Sequence, residues 1–230
     1  MIFFDIDDTL LDDRYAQEQS ARGLWREFAD ELPYAEADFP ALWDAVSTKH
    51  YSAFTKGEIT FLEQRRRRIR EVFHEPGLPD ADADARFARY LTYHQTSWKL
   101  FADTLPCLAA LADQRLGIIS NGDPLQQRLK LETTHLTSLF SPIVVSGDIG
   151  KPKPQPEIFL HACKLANVQP EECTYIGDNP IFDVFGSRAV GMSGVWINRR
   201  GASTEGIDQP IITTLAELPA LLARIETGKR

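Results

Sequence analysis

The chain has 230 residues, 43% of them hydrophobic, with a formal net charge of −8 and a pI near 5.2. This composition excludes a disordered chain, and the negative charge excludes a general electrostatic attraction to nucleic acid or to an anionic membrane. An anionic substrate therefore needs local positive charge or a metal ion for its binding.

The chain begins with "MIFFDIDDTLLDD", a short apolar run that leads directly into clustered aspartates. We predict a buried strand at 2–7, in which Asp5 and Asp7 point to the same side because they are two residues apart. Carboxylates this close repel one another unless a cation or a proton lies among them. Mg²⁺ fits such a position. A calcium-binding loop is excluded, because Leu10 replaces its required glycine and Ala16 its required glutamate.

The segment 14–95 has no convincing strand and carries aromatic residues at helical spacings, which predicts a helical insertion. Thr60 and Glu63 have the spacing of a capping box at a helix start. The arginines at 65–68 and Arg70 lie on all sides of one predicted helix, and glutamates are close to them in the sequence. This pattern favours a solvated face with internal salt bridges. One arginine reaching a substrate, or a nucleic-acid contact, is the alternative. The histidines are scattered, with neither i+4 spacing nor acidic partners, so we expect no metal site there: His50, His74 and His94.

From residue 96 onward, short apolar runs alternate with helical patterns. We predict strands at 116–123, 143–148, 174–179 and 194–198, with a possible sixth at 211–213. Helices are predicted around Leu105 to Ala112, across Leu125, Leu129 and Leu136, from Pro156 to Ala166, and from Leu215 to Ile225. This alternation predicts a doubly wound, Rossmann-like α/β core with a parallel sheet. We place this core at 1–13 and 96–230, and a second, helical domain at 14–95.

Polar residues follow four of the predicted strands. They are Asp5 with Asp7, Ser120 with Asn121, Gly150 to Lys153, and Asp178 to Asp183. Ligands of open α/β sheets bind beyond the carboxyl ends of the strands, so these residues are expected to converge on one crevice. The sequence thus predicts a single site built from four strand ends.

Four segments in chain order carry a family resemblance: "FDIDDTL", "ISNGD", "KPQPEIF" and "GDNPIFD". They resemble the four motifs of the haloacid dehalogenase-like (HAD) hydrolase superfamily, and the inserted helical segment resembles the C1-type cap of that family by its position. The resemblance covers the predicted core, and it implies a phosphoryl-transfer enzyme that works with Mg²⁺.

The resemblance also implies catalytic roles. Asp5 is expected to be the nucleophile that forms an aspartyl-phosphate, and Asp7 the general acid that then serves as general base. Lys153 is expected to neutralise charge on the nucleophile and on the phosphoryl group. The family spacing counted back from Phe159 selects Lys153, and Lys151 is interpreted as a solvated loop residue.

The resemblance implies binding roles as well. Ser120 is expected to hydrogen-bond the transferring phosphoryl group with help from Asn121. The metal ligands are expected to be Asp5, Asp7 through its backbone carbonyl, and Asp178, with Asp183 holding the ion through water. Thr9 is expected to support the first loop, and Asp8, at a position where the family often has glycine, is interpreted as a turn residue.

Because an acid is present at Asp7, a phosphate ester fits better than a haloacid, whose halide leaves without a proton. The expected function is therefore a Mg²⁺-dependent phosphatase acting on a small soluble phosphate monoester of the nucleoside monophosphate or sugar phosphate class. Two alternatives remain open: a phosphomutase of the β-phosphoglucomutase kind, and a catalytically silent binding or regulatory protein. Silent relatives are expected to lose the nucleophile, the acid or the metal ligand, and all are present here.

The remaining expectations concern the setting of the protein. The chain has no run of about 18 apolar residues and no secretory signal pattern, and its three cysteines are too few and too scattered for a disulfide framework. We therefore expect a cytoplasmic monomer or homodimer with free, buried cysteines. Its partner is expected to be a small phosphorylated metabolite, with no nucleic acid and no membrane.

Overall fold

The structure is a computed structural model that describes residues 1–228, with side chains described through residue 225. The chain divides into two compact units. The first, here called the α/β unit, comprises Met1–Asp12 and the chain from Lys99 onward; the second, here called the helical unit, is Asp13–Trp98. No helix of the described residues is both long enough and apolar enough to cross a membrane.

The helical unit contains four helices: α1 (Asp13–Glu27), α2 (Phe39–Thr55), α3 (Phe61–Val72) and α4 (Asp80–Thr96). Thr60 begins α3 as predicted, since its hydroxyl accepts a hydrogen bond from the Glu63 N–H at 3.1 Å. The core of the unit is aromatic, with the rings of Trp43 and Tyr90 4.5 Å apart. The large apolar surface that these rings bury stabilises a small four-helix arrangement.

The α/β unit contains one parallel sheet in the order β3-β2-β1-β4-β5-β6. Its strands are β1 (Ile2–Phe4), β2 (Leu116–Ser120), β3 (Ile143–Val145), β4 (Thr174–Gly177), β5 (Ser193–Ile197) and β6 (Ile211–Ile212). The order is that of a doubly wound, Rossmann-like fold, which confirms the predicted fold class and the sixth strand. All residues of β1, β2 and β4 are buried, as expected for a sheet covered on both faces.

Among its described residues, the α/β unit has six helices: α5 (Thr104–Ala110), α6 (Pro124–Thr133), α7 (Ser146–Ile149), α8 (Pro156–Ala166), α9 (Gly186–Arg188) and α10 (Leu218–Gly228). A π-helical segment, Pro180–Phe185, leads into α9. Helix α8 packs on one face of the sheet through Ile158 and Phe159 against Phe3 and Tyr175. The three cysteines are free and buried, as predicted.

The strands predicted at 2–7, 116–123 and 174–179 end earlier, at Phe4, Ser120 and Gly177. Two further elements also differ from their predictions. The strand predicted at 143–148 ends at Val145, because the chain turns into α7, which Gly150 closes in the left-handed conformation (φ 67°). Helix α6 exists, but Leu136 lies beyond its end, and Leu125 is 81% exposed. The buried positions of α6 are instead Gln127, Lys130 and Leu131. Polar side chains can be buried where they find hydrogen-bond partners, and these partners lie at the candidate site.

The sheet register aligns the ends of three strands. Phe4, the last residue of β1, pairs with Ile118 of β2 on one side and with Ile176 of β4 on the other. Because β1 lies between β2 and β4, the residues that follow these three strands meet at one edge of the sheet. The Asp5 N–H still donates to the Ile176 carbonyl at 2.9 Å, which anchors the start of the first loop.

Candidate active site

Three carboxylates gather at this edge of the sheet. One oxygen each of Asp5, Asp178 and Asp183 lies within 4.8 Å of the others. Asp5 follows β1, Asp178 follows β4, and Asp183 lies in the π-helical segment after it. The strand ends predicted from the sequence are therefore brought together.

Lys153 lies among these acids and is only 3% exposed. Its Nζ is 2.8 Å from Asp5 Oδ1 and 2.7 Å from Asp183 Oδ1, and it donates to the Tyr175 hydroxyl at 2.9 Å. Burial opposes the ammonium charge, but Asp183 and Asp5 outweigh it and hold the pKa of Lys153 well above its usual value. Lys153 is therefore held as a buried cation between Asp5 and Asp183, whereas Lys151 pairs with Glu157 on the surface at 3.2 Å.

The acids are not fully balanced by this lysine. Burial raises the pKa of Asp5, with Lys153 opposing that shift and Asp183 adding to it. Burial, then Asp183 and Asp5, hold the pKa of Asp178 well above its usual value. When all three are ionised, three carboxylates facing one ammonium carry an excess of negative charge, so burial and this repulsion together raise the pKa values of Asp5 and Asp178 in the absence of a further cation. A hard divalent cation with oxygen ligands fits this donor set, and Mg²⁺ is such a cation.

The carboxylate of Asp7 has different neighbours. Lys130 Nζ lies 2.6 Å from its Oδ1, and Gln127 Nε2 donates to its Oδ2 at 2.9 Å. The same Gln127 nitrogen donates to Ser120 Oγ at 2.8 Å. Helix α6 thus contacts two of the predicted site residues through one buried face.

The side chain of Asn121 binds the backbone of Lys153. Its Nδ2 donates to the Lys153 carbonyl at 3.1 Å, and its Oδ1 accepts from the Lys153 N–H at 2.7 Å. This pair of bonds joins the end of β2 to the loop that carries Lys153. The structure therefore shows that Asn121 positions Lys153. The sequence had predicted only that Asn121 helps to bind the phosphoryl group.

The first loop after β1 turns tightly. Asp8 has φ 55°, a left-handed conformation that aspartate and asparagine tolerate better than most residues and that glycine adopts freely. This explains why aspartate can occupy a position where glycine is common in the family. Asp8 is a turn residue as interpreted, and its Oδ1 accepts from Arg200 at 2.7 Å. Thr9 is buried, and its carbonyl accepts from Arg199 at 2.9 Å.

The absence of a side chain at Gly177 leaves room for the Asp183 carboxyl group. A Cβ at Gly177 would lie 2.3 Å from the Asp183 carboxyl group, so only glycine allows this approach. Asp183 Oδ2 accepts from the Asn179 N–H at 2.9 Å, which fixes the carboxylate relative to Asp178. The glycine before Asp178 is thus a packing requirement of the site.

The sequence reasoning missed several residues around the site: Gln127, Lys130, Tyr175 and Arg199. For the first two a signal existed, since polar residues three apart lie on one helical face directly after the "ISNGD" motif. No spacing indicated Tyr175, whose hydroxyl donates to the Ile119 carbonyl at 2.7 Å and accepts from Lys153. Its contact with the lysine depends on the pairing of β4 with β1.

In the helical unit, Arg67 forms a predicted salt bridge with Glu63 at 2.8 Å, whereas Arg66 and Arg70 pair with Asp84 and Asp80 of α4 rather than with the nearby glutamates alone. Arg68 differs, because its buried Nε has no hydrogen-bond partner among the described residues, and burial lowers its pKa to about 10.

The statement that the histidines lack acidic partners was wrong. His50 lies 2.7 Å from Glu71, and His94 lies 3.2 Å from Asp13. These partners come from other helices, so sequence spacing could not reveal them. Within the part of the chain that the structure describes, the group of acids and histidines that could hold a metal is Asp5, Asp178 and Asp183.

Comparisons with known proteins agree with this geometry. The family model of the haloacid dehalogenase-like hydrolases matches residues 1–191. The N-acylneuraminate-9-phosphatase of Rattus norvegicus is 30% identical over 238 residues, which cover 98% of this chain and 94% of the relative. A phosphoserine phosphatase of Thermus thermophilus is 32% identical over 226 residues, covering 86% of this chain and 88% of the relative.

Solved structures show the same fold. The HAD-hydrolase YfnB from Bacillus subtilis, crystallised with magnesium, superposes with a TM-score of 0.83 at 26% identity and covers 96% of this chain and 97% of its own. A 2-haloacid dehalogenase from Pseudomonas syringae has a TM-score of 0.71 at 24% identity, covers 97% of this chain and 98% of its own, and shows the fold alone. The predicted resemblance is confirmed: the chain belongs to the haloacid dehalogenase-like hydrolase family.

Proposed function

We propose that the chain is a Mg²⁺-dependent phosphatase that hydrolyses a small soluble phosphate monoester through an aspartyl-phosphate on Asp5. Its family and its phosphatase relatives make it a phosphoric monoester hydrolase. The single observation that carries the finer proposal is the buried Lys153, held between Asp5 and Asp183 beside Asp178. Such a costly arrangement of buried charges is characteristic of sites that must stabilise charge during a reaction.

In the first step, Asp5 attacks phosphorus while the bond from phosphorus to the leaving oxygen breaks. Asp7 donates its proton to that oxygen, and Lys153 stabilises the negative charge on the nucleophile and the phosphoryl group. Ser120 lies at the end of the neighbouring strand β2 and is assigned to the phosphoryl oxygens, with Asn121 holding Lys153 in place. Dividing the reaction through a covalent intermediate lowers each barrier separately.

In the second step, Asp7 accepts a proton from water, which attacks the aspartyl-phosphate and releases inorganic phosphate. Mg²⁺, when bound, supplies positive charge that neutralises the phosphoryl oxygens. The residues that would hold it are Asp5, Asp178 and the backbone carbonyl of Asp7, with Asp183 behind them. The excess of carboxylate charge over the lysine supports this assignment.

The substrate class is a nucleoside monophosphate or a sugar phosphate. The names of the relatives support the coarser part of this assignment, a small phosphorylated molecule: N-acylneuraminate-9-phosphatase, phosphoserine phosphatase and glyceraldehyde 3-phosphate phosphatase. We assign the helical unit, inserted between Asp12 and Lys99, the role of a cap that selects the ester and excludes water. This assignment rests on its place in the chain and on family analogy.

The test is the release of inorganic phosphate from a panel of phosphate monoesters, with Mg²⁺ and with EDTA, by the wild-type protein and by Asp5→Asn. We expect Mg²⁺-dependent release that falls at least about 10⁴-fold in Asp5→Asn, because the nucleophile is lost with little change in shape. Asp113→Asn, at an exposed position of the α/β unit, is the matched control and should retain full activity. Undiminished release by Asp5→Asn, or isomerisation of a sugar phosphate without phosphate release, would contradict the proposal.

A further inference from the structure

Two residues of helix α6 contact the proposed acid–base residue, although the proposed mechanism assigns them no role. Lys130 lies 2.6 Å from one oxygen of Asp7, and Gln127 donates to the other at 2.9 Å. Both are 2% exposed, although α6 carries leucines that remain at the surface, such as Leu125 and Leu129. The helix therefore buries a lysine and a glutamine in preference to leucines, at a cost in desolvation that the contacts with Asp7 must offset.

We propose that Lys130 and Gln127, together named the α6 donor pair, are positioning residues for Asp7. They aim its side chain at the leaving group and stabilise the carboxylate that proton donation leaves behind. This inference rests on the proposed function.

The chemistry of the contacts supports this assignment. A lysine ammonium has donors and no acceptor, and the glutamine contributes its amide nitrogen, so both oxygens of Asp7 accept a hydrogen bond. This is the arrangement of the ionised carboxylate, the form of Asp7 that remains after it has donated its proton. As the bond from phosphorus to the leaving oxygen breaks, its electron pair moves to that oxygen, and the Asp7 proton is transferred to it. Negative charge then develops on Asp7, where the α6 donor pair already points. An interaction that strengthens as charge develops accelerates the step.

The pair also joins Asp7 to the phosphate-binding side of the site. Gln127 Nε2 contacts Ser120 Oγ at 2.8 Å as well as Asp7 Oδ2. One amide group thus sets the distance between the residue assigned to the phosphoryl oxygens and the residue assigned to the leaving oxygen. A displacement of about 1 Å between such groups can reduce a rate about 10²-fold.

The experiment separates proton donation from everything else the site does. Release of the leaving group in the first turnover is measured for a primary alkyl phosphate, whose alkoxide needs a proton, and for p-nitrophenyl phosphate, whose phenolate leaves without one. The variants are Lys130→Met, Lys130→Arg and Gln127→Leu. Arg128→Met is the matched control, because Arg128 lies on the same helix, faces solvent and pairs with Asp148.

We expect Lys130→Met and Gln127→Leu to slow alkyl release about 10- to 100-fold, which is part of the 10²–10⁴ that a placed acid contributes. Release of p-nitrophenolate should fall less than about 3-fold, KM should change less than about 2-fold, and Lys130→Arg should recover part of the alkyl rate. Arg128→Met should leave both rates unchanged.

Equal losses on both esters, an effect on KM alone, or unchanged alkyl release would overturn the positioning role. If Lys130→Met does not fold, as judged by thermal unfolding, Gln127→Leu and Lys130→Arg give the same comparison of the two esters. Absence of phosphate release from either ester by the wild-type protein would contradict the proposed function itself, and the two failures are therefore distinguishable.

Discussion

The two units of this protein handle charge in opposite ways. In the helical unit, most charged side chains lie around the core and pair near the surface, as Arg67 does with Glu63 and Arg89 with Glu27. The buried His94–Asp13 pair and the buried Nε of Arg68 are exceptions. In the α/β unit, Asp5, Lys153 and Asp183 are buried together at the edge of the sheet. The first arrangement costs little and contributes little. The second is expensive, because each ion has lost its hydration.

This difference indicates which unit is built for stability and which for chemistry. Replacing a surface pair changes the free energy of unfolding only slightly. A buried cluster with excess negative charge destabilises the fold by itself, so its presence indicates a role in a reaction or in binding a cation. Substitutions should therefore have large effects in the α/β unit and small effects in the helical unit.

The largest effect on stability is expected for Lys153→Met. Removing the ammonium leaves Asp5 and Asp183 buried without their cation, which should lower the free energy of unfolding by about 3–5 kcal/mol in the absence of metal. Chemical denaturation in EDTA measures this loss. Lys151→Met is the matched control, and because Lys151 is exposed its change should stay below about 0.5 kcal/mol. Equal changes in the two variants would contradict this prediction, because they would show that Asp5 and Asp183 do not need the Lys153 ammonium for stability.

The next effect is the response to Mg²⁺. A cation that binds the folded protein and not the unfolded chain adds about 2.7 kcal/mol of stability when its concentration is 100 times its Kd. Thermal unfolding with Mg²⁺ and with EDTA should show this gain for the wild-type protein. The gain should largely disappear in Asp178→Asn, which removes a charged ligand, while Asp113→Asn should keep it. A full Mg²⁺ response in Asp178→Asn would refute the metal assignment for that residue.

A smaller and pH-dependent effect is expected at Asp103. Burial opposes its ionisation, but hydrogen bonds from Arg199, Thr214 and the Leu215 N–H keep its pKa below the usual value. A lowered folded-state pKa contributes stability that is complete above the unfolded pKa, near 3.9, and is lost as the pH falls through the folded value.

Arg199→Met should therefore lower the free energy of unfolding at pH 7 by about 1–3 kcal/mol, and by less as the pH falls below about 4. Denaturation at several pH values measures the difference between the two proteins. Arg200→Met is the control on the neighbouring residue, since Arg200 pairs with Asp8 near the surface. A constant difference at all pH values would contradict a contribution through ionised Asp103.

The smallest effects belong to the helical unit. Arg67→Met removes an exposed pair with Glu63 and should cost at most about 0.5 kcal/mol. Arg68→Met should be neutral or stabilising, because a guanidinium whose Nε is buried without a hydrogen bond is replaced by a shorter, unbranched apolar chain. Thermal unfolding of the two variants provides the comparison, and a loss in Arg68→Met above about 2 kcal/mol would refute this expectation.

Much of the site was predictable because of one geometric rule. Polar residues after neighbouring parallel strands must meet at the same edge of the sheet, so Asp5, Ser120, Lys153 and Asp178 were expected together before any contact was known. The motif spacing also selected Lys153 over Lys151. The sheet itself followed from short apolar runs that alternate with helical patterns.

The partners of these residues were not predictable in the same way. Asn121 bonds the backbone of Lys153, 32 positions away, and Lys130 contacts Asp7, 123 positions away. Local sequence patterns report which side chains are apolar and how they are spaced, and on that basis Leu125 and Leu129 marked helix α6. Only the tertiary structure decided that α6 turns Gln127 and Lys130 inward.

The sequence by itself therefore determined the fold class and the family and selected the residues to which we assign the chemistry, because these depend on periodicity and on motifs within a few residues of a strand end. The tertiary structure alone decided which side chains hold the chemical groups in place. That choice depends on contacts between elements far apart in the chain, where a buried polar group is stable only if a distant partner satisfies it.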